Sequence, residues 1–187
     1  MRHRDEHGFI FEVEGRQVRV AISGAGRAGK DEAAIYLSTI TPLRYVAGTS
    51  YWARHLVFRR MKAAGYDYAD ADTCWHDRHN HRVLWARIIG EYNRNDPVQL
   101  YRDCLADQDM LTGVRWRHEQ QACRAAGLVD LWVWIERHGI PPDPTMEYGP
   151  EECDVVLENN GTLKDFHATL QRFAYERGLL LFQRTAA

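Results

Sequence analysis

Two short apolar runs open the chain with strand character. They are Phe9 to Val13 (FIFEV), closed by Gly15, and Val18 to Ile22 (VRVAI). They predict a hairpin or a strand extension at the edge of the fold. A glycine-rich segment follows Ser23, and then DEAAIYLSTI, where Ala33, Ala34, Tyr36 and Leu37 recur at helical spacing until Pro42 interrupts. Strand, glycine loop and helix in this order are what a phosphate-binding βα unit needs. Leu43 to Val46 reads as a short strand, and Tyr51 to Ala64 as an amphipathic helix stopped by Gly65. Asp67 to Asp77 is polar and irregular, and a helix resumes near His79 towards Tyr92. Asn95 or Asp96 caps a further helix, with Pro97 in its first turn.

In the second half, Asp109 to Val114 (DMLTGV) reads as a strand and Arg117 to Ala126 as a helix closed by Gly127. Leu128 to Ile135 (LVDLWVWI) has the continuous apolar character of a buried strand, which makes Trp132 and Trp134 core residues. His138 to Pro150 holds four of the six prolines and two glycines, so it reads as a loop or lid. Asp154 to Leu157 is a last short strand. Thr162 to Arg177 is an amphipathic helix with Leu163, Phe166, Leu170 and Phe173 on one stripe. This alternation predicts one α/β domain over residues 1–187, three-layered, with a mainly parallel sheet of about five strands. The helical block at 50–106 then stands as an insertion beside the sheet and a region for binding an acceptor.

Composition narrows the setting. Of the 187 residues 45% are hydrophobic, enough to bury a core. The formal net charge of -2 excludes a global positive field, though not a local basic face. Cys74, Cys104, Cys123 and Cys153 lie far apart, with no CxxC pair, which argues against a disulfide framework or zinc knuckle and for a reducing compartment. The opening MRHRDEHGFIFEVEG lacks the apolar stretch of a signal peptide, and no run approaches a membrane span. The expectation is a cytoplasmic protein with no membrane partner.

The segment GAGRAGKD fits G-x-x-x-x-G-K, with Gly24, Gly29 and Lys30 at the defining positions. Backbone amides of Gly24, Ala25, Gly26, Arg27, Ala28 and Gly29 are expected to converge on phosphate oxygens, helped by the helix dipole. Lys30 supplies a mobile positive charge for the β- and γ-phosphates of ATP. Ser or Thr usually follows and ligates Mg2+; here Asp31 follows, a harder oxygen ligand assigned to the metal.

A second concentration of chemistry is CWHDRHNHRVLWAR, residues 74–87. Arg78, Arg82 and Trp85 share a face if the segment is helical, so the arginines would grip a phosphate and the indole stack on a base. Asp77 is the candidate general base should the acceptor be a hydroxyl. Two plainer readings stand beside this one. The stretch is equally a surface helix with scattered histidines. A metal site from Cys74, His76, His79 and His81 matches no familiar zinc spacing.

The GKD variant of the loop, the span DMLTGVRWRHE and the late span DVVLENNGTLKDF together resemble bacteriophage deoxynucleoside monophosphate kinases. More distantly they resemble dephospho-coenzyme A kinase and adenylate kinase. The phage kinases end one strand in Asp-Val-Arg with a glutamate four residues on. Here Gly113-Val114-Arg115 and Glu119 match except for the aspartate, which shifts the metal to Asp31. The resemblance implies a P-loop fold, ATP and Mg2+ as cofactors, Arg115 as catalytic and Glu119 as substrate-binding. It places Asn159 near the adenine of the donor. Arg115 and Glu119 read equally as a helical i, i+4 ion pair.

The implied reaction moves the γ-phosphoryl group of ATP onto a deoxynucleoside monophosphate. Such an acceptor is already an anion, so positioning and charge neutralisation suffice. Two alternatives remain: a kinase of 5-hydroxymethyl-deoxyuridine in phage DNA, and a nucleotide-binding or hydrolysing module without an acceptor. A homodimer is left open. Nucleotide kinases usually close an arginine-bearing lid, yet no arginine lies between Gly139 and Pro150; only Arg137 precedes that stretch.

Overall fold

The computed structural model describes residues 2–4, 10–13 and 16–180. Near the start, β1 (Arg2–Arg4), β2 (Ile10–Val13) and β3 (Arg16–Gln17) form an antiparallel sheet in the order β1-β2-β3. The expected hairpin therefore closes within a few residues, on Arg16 and Gln17, and the VRVAI run leaves for another sheet. Phe9 and Gly15 lie outside the described residues.

That second sheet contains β4 (Val20–Ser23), β5 (Met110–Thr112), β6 (Leu131–Glu136) and β7 (Val155–Glu158) in the order β5-β4-β6-β7. Every pairing in it is parallel. Period-two alternation sorts its side chains into two cores. Val20, Ile22, Val133 and Ile135 pack with α1 (Lys30–Ile40) and α8 (Leu163–Glu176), through Leu37, Phe166 and Leu170 among others. Ala21, Leu111, Trp132 and Trp134 face the other way. There they meet α2 (Thr49–Trp52), α3 (Arg54–Ala63), α4 (Ala71–His76), α5 (Arg82–Tyr92), α6 (Gln99–Cys104) and α7 (Arg117–Ala125). The result is an α/β fold of three layers, with Trp132 and Trp134 in the core as expected.

The strand count is a correction. Four parallel strands are present among the described residues, where the sequence suggested about five. Leu43 to Val46 is the difference: its amides bond side chains instead of a strand ladder. Arg44 N–H donates to Asp109 Oδ2 at 2.9 Å, and Val46 and Ala47 N–H both donate to Gln108 Oε1 at 3.1 Å. Two buried polar residues thus hold this segment beside β5 without extending the sheet.

Helix limits follow local chemistry. Asp70 accepts from Thr73 N–H at 2.7 Å and starts α4 inside a stretch read as irregular. The single helix expected over Tyr51 to Ala64 is two pieces meeting at Ala53. Thr162 and Asp165 form a reciprocal capping box at the start of α8. Among the described residues no helix is long and apolar enough to cross a membrane.

Candidate active site

β4 is the strand on which the sheet is built outward in both directions, and the glycine loop leaves from its carboxyl end. In parallel α/β sheets that end is where ligands bind. α1 begins directly at Lys30, behind Gly29, which stands in the left-handed region at φ 102°. A Cβ at Gly29 would lie 2.5 Å from Asn159 Nδ2, so a side chain is excluded twice over, by conformation and by space. Asn159 Nδ2 donates to Ala28 O at 2.8 Å and fixes the loop from behind. The buried Asn159 amide, which the resemblance implies lies near the adenine, thus braces the phosphate loop in this structure.

The loop's backbone N–H groups are largely uncommitted. Ala28 N–H reaches Ala25 O at 3.3 Å, and no other amide from residue 25 to residue 31 has a partner among the described residues. α1 also has no side-chain cap. A helix start with uncommitted amides is a site for an anion. Lys30 folds back over the loop, its Nζ donating to Gly24 O at 2.9 Å and Ala25 O at 2.6 Å. Burial, together with the Arg115 charge, pushes its ammonium down to about 8, against the pull of Asp31 and Asp143.

A cavity of about 400 Å³ opens beside this loop. Gly26, Arg27, Lys30 and Asp31 form one wall. Arg78, Arg82 and Arg115 converge from the helical block and the end of β5, and Trp75, Trp85 and Trp116 line it as well. Arg78 stacks on Trp75, its guanidinium 4.0 Å from the ring centre, and donates to Trp75 O at 3.0 Å. The cavity thus combines guanidinium groups with flat apolar walls, as a phosphorylated heterocycle requires.

Sequence grouping and spatial grouping agree for most residues and part for others. Arg78, Arg82 and Trp85 do meet, but Arg78 sits on the 3-10 turn Asp77–His79, so they do not share one helix face. Asp77 does not line the cavity. Its carboxylate accepts from Tyr68 and Asn80 and pairs with His81. Arg115 and Glu119 are not an ion pair. Glu119 is fully buried and accepts from Asn93 Nδ2 at 2.8 Å and from Tyr101 Oη at 2.5 Å. Burial pushes its carboxyl up despite those donors.

Arg115 turns instead to the proline-rich segment. Its Nη1 lies 2.9 Å from Asp143 Oδ2 and 2.6 Å from Thr145 Oγ1. Arg82 Nη2 reaches the same Asp143 oxygen at 2.7 Å. The Asp143 side chain is 2% exposed. Burial opposes its charge, but Thr145 and Arg115 hold its carboxyl well below the usual carboxylate range. Asp143 lies close to the loop, since a Cβ at Gly26 would be 3.2 Å from its Oδ2. The segment carries no arginine of its own between Gly139 and Pro150, and its one carboxylate at this rim gathers two arginines from elsewhere in the chain, a pairing no local spacing marks.

Asp31 is exposed and bonded to two hydroxyls the sequence did not mark. Thr112 Oγ1 and Tyr45 Oη donate to Asp31 Oδ1 at 2.7 and 2.8 Å, and lie 2.9 Å from each other. Among the described residues no group of three or more His, Cys, Asp or Glu side chains could hold a metal ion. Cys74 is buried with its thiol against Met61 Sδ.

No family model matches the chain, and no curated protein matches it. Among the solved structures similar to it are two of low identity. One is an unliganded sugar kinase from Janibacter sp. HTCC2649, 13% identical, covering 88% of this chain and 96% of its own, with a TM-score of 0.47. The other is a Thermus thermophilus protein, 15% identical, covering 85% of this chain and 97% of its own, with a TM-score of 0.41.

Proposed function

We propose that this chain is a P-loop kinase that transfers the γ-phosphoryl group of ATP to a deoxynucleoside monophosphate. One observation carries the reading: a single cavity joins the glycine loop, Lys30 and Asp31 to Arg78, Arg82 and Arg115. Cationic side chains on both sides of one space suit two phosphorylated ligands brought end to end. The loop amides and Lys30 take the donor's phosphates. Arg78 and Arg82 take the acceptor's phosphate, with Trp85 beside its base. Arg115 stands between them, where charge develops during transfer. Asp31 would hold Mg2+, since its carboxylate oxygen suits a hard cation bound largely through phosphates, and the ion would supply charge neutralisation during transfer.

The placement of Asp77 away from the cavity counts against a hydroxyl acceptor. Incubation with Mg-ATP and each deoxynucleoside monophosphate in turn, with ADP measured, tests the reading. ADP formed only with a monophosphate supports it. Label passing to duplex DNA that carries 5-hydroxymethyl-deoxyuridine would replace it with the DNA kinase, and ADP formed equally without acceptor would replace it with a hydrolase.

A further inference from the structure

The usual metal seat in a P-loop protein pairs a hydroxyl directly after the loop lysine with a carboxylate on a neighbouring strand. In this chain the carboxylate, Asp31, follows the lysine, and the neighbouring strand β5 ends in the hydroxyl of Thr112. Asp31 Oδ1 and Thr112 Oγ1 are 2.7 Å apart, and both residues line the cavity beside Lys30. We infer that the two ligand types have exchanged places, so that Thr112 supplies the hydroxyl of the metal seat and Asp31 its carboxylate. The inference rests on the kinase reading and extends it to a residue not assigned before.

Three observations converge on it. Asp31 Oδ1, Thr112 Oγ1 and Tyr45 Oη form a triangle with sides of 2.7, 2.8 and 2.9 Å. Neighbouring ligands of octahedral Mg2+, with bonds near 2.0–2.1 Å, stand about 2.9 Å apart, so Asp31 and Thr112 are already spaced as two such ligands. Second, Thr112 is only 3% exposed, yet it borders the cavity, so its hydroxyl has a fixed address. Third, the chain gives this pair room through Gly48, where a Cβ would lie 2.8 Å from Thr112 Oγ1 and 3.5 Å from Asp31 Oδ1. Tyr45 does not border the cavity, and it acts as a positioning residue that aims the Asp31 carboxylate.

Two protein oxygens make a weak seat alone. Tight binding therefore needs the nucleotide's phosphates as further ligands. The experiment measures Mn2+ binding by electron paramagnetic resonance, with and without a saturating non-hydrolysable ATP analogue. Wild type is expected to hold one Mn2+ more tightly than the free analogue does. Thr112→Val should weaken that ion about tenfold or more, with analogue affinity measured without metal unchanged, and Thr112→Ser should restore it. Tyr45→Phe should weaken it less than Thr112→Val. Equal Mn2+ affinity in Thr112→Val and wild type overturns the inference while leaving the kinase reading intact. Failure of wild type to bind the analogue at all overturns the kinase reading itself. Should Thr112→Val not fold, the unaltered protein still decides. The Thr112 methyl resonance must broaden when Mn2+ joins the analogue complex, and a sharp signal overturns the inference.

Discussion

Lys30 carries the sharpest pH dependence at the scale of single residues. Its ammonium, held near 8 by burial, must be protonated to meet phosphate. Nucleotide affinity is therefore expected to be flat below about pH 8 and to fall by up to about tenfold per unit above it, as measured by titration calorimetry. Stability moves the opposite way. The unfolded lysine, near 10.5, holds its proton where the folded one has released it, so this residue's contribution rises with pH between about 8 and 10.5. Asn159 gives a second test. Asn159→Ala leaves the Ala28 carbonyl without its donor, at a cost of about 1–3 kcal/mol. Thermal melting should show that loss, and nucleotide affinity should drop with it. Restored affinity at wild-type level in a destabilised variant would mean the loop does not depend on this brace.

At the scale of elements, the segment from Arg137 to Gly149 is a strap tied to the cavity rim through Asp143, while Tyr148 and Glu147 anchor its far end. Asp143 pairs with both Arg82, on α5, and Arg115, after β5, and so links two elements at the rim of the cavity. Asp143→Asn should lower stability at neutral pH by about 1–2 kcal/mol, because the arginine side chains are 40% and 27% exposed and partly screened. The carboxyl's folded pKa lies below its ordinary 3.8, so its contribution is full above that value and is lost as pH falls through the folded pKa. Melting curves of wild type and variant should therefore converge only in strong acid. A gap unchanged across the whole pH range would contradict the ion-pair account. This strap also shows where sequence reading stops. The loop from Gly24 to Lys30 was legible because its chemistry is local, with strand, glycines, lysine and helix in consecutive positions. Asp143 with Arg82, and Thr112 with Asp31, are pairs 61 and 81 residues apart, and no spacing rule joins them. The misread strand at Leu43 to Val46 has the same origin: its amides bond side chains of Gln108 and Asp109, beside one backbone bond from Asp109 N–H to Arg44 O.

For the whole molecule, the α/β alternation is readable because β4, β5 and β6 are apolar on both faces and the long helices beside them on one. Arg78, Arg82, Trp85, Arg115 and Glu119 were singled out one motif at a time, and the cavity unites them. Asp77 shares its turn with Arg78, yet its carboxylate bonds Tyr68 and Asn80 and does not line the cavity. The central claim, that residues 24–31 grip a triphosphate, has one direct measurement: calorimetric titration of Mg-ATP into wild type and Lys30→Ala. The account predicts one nucleotide per chain and a loss of about tenfold or more in the variant, since a hydrogen bond to a charged group contributes about 1.5–3 kcal/mol. Equal affinity in the two proteins, or no binding to wild type, would contradict it.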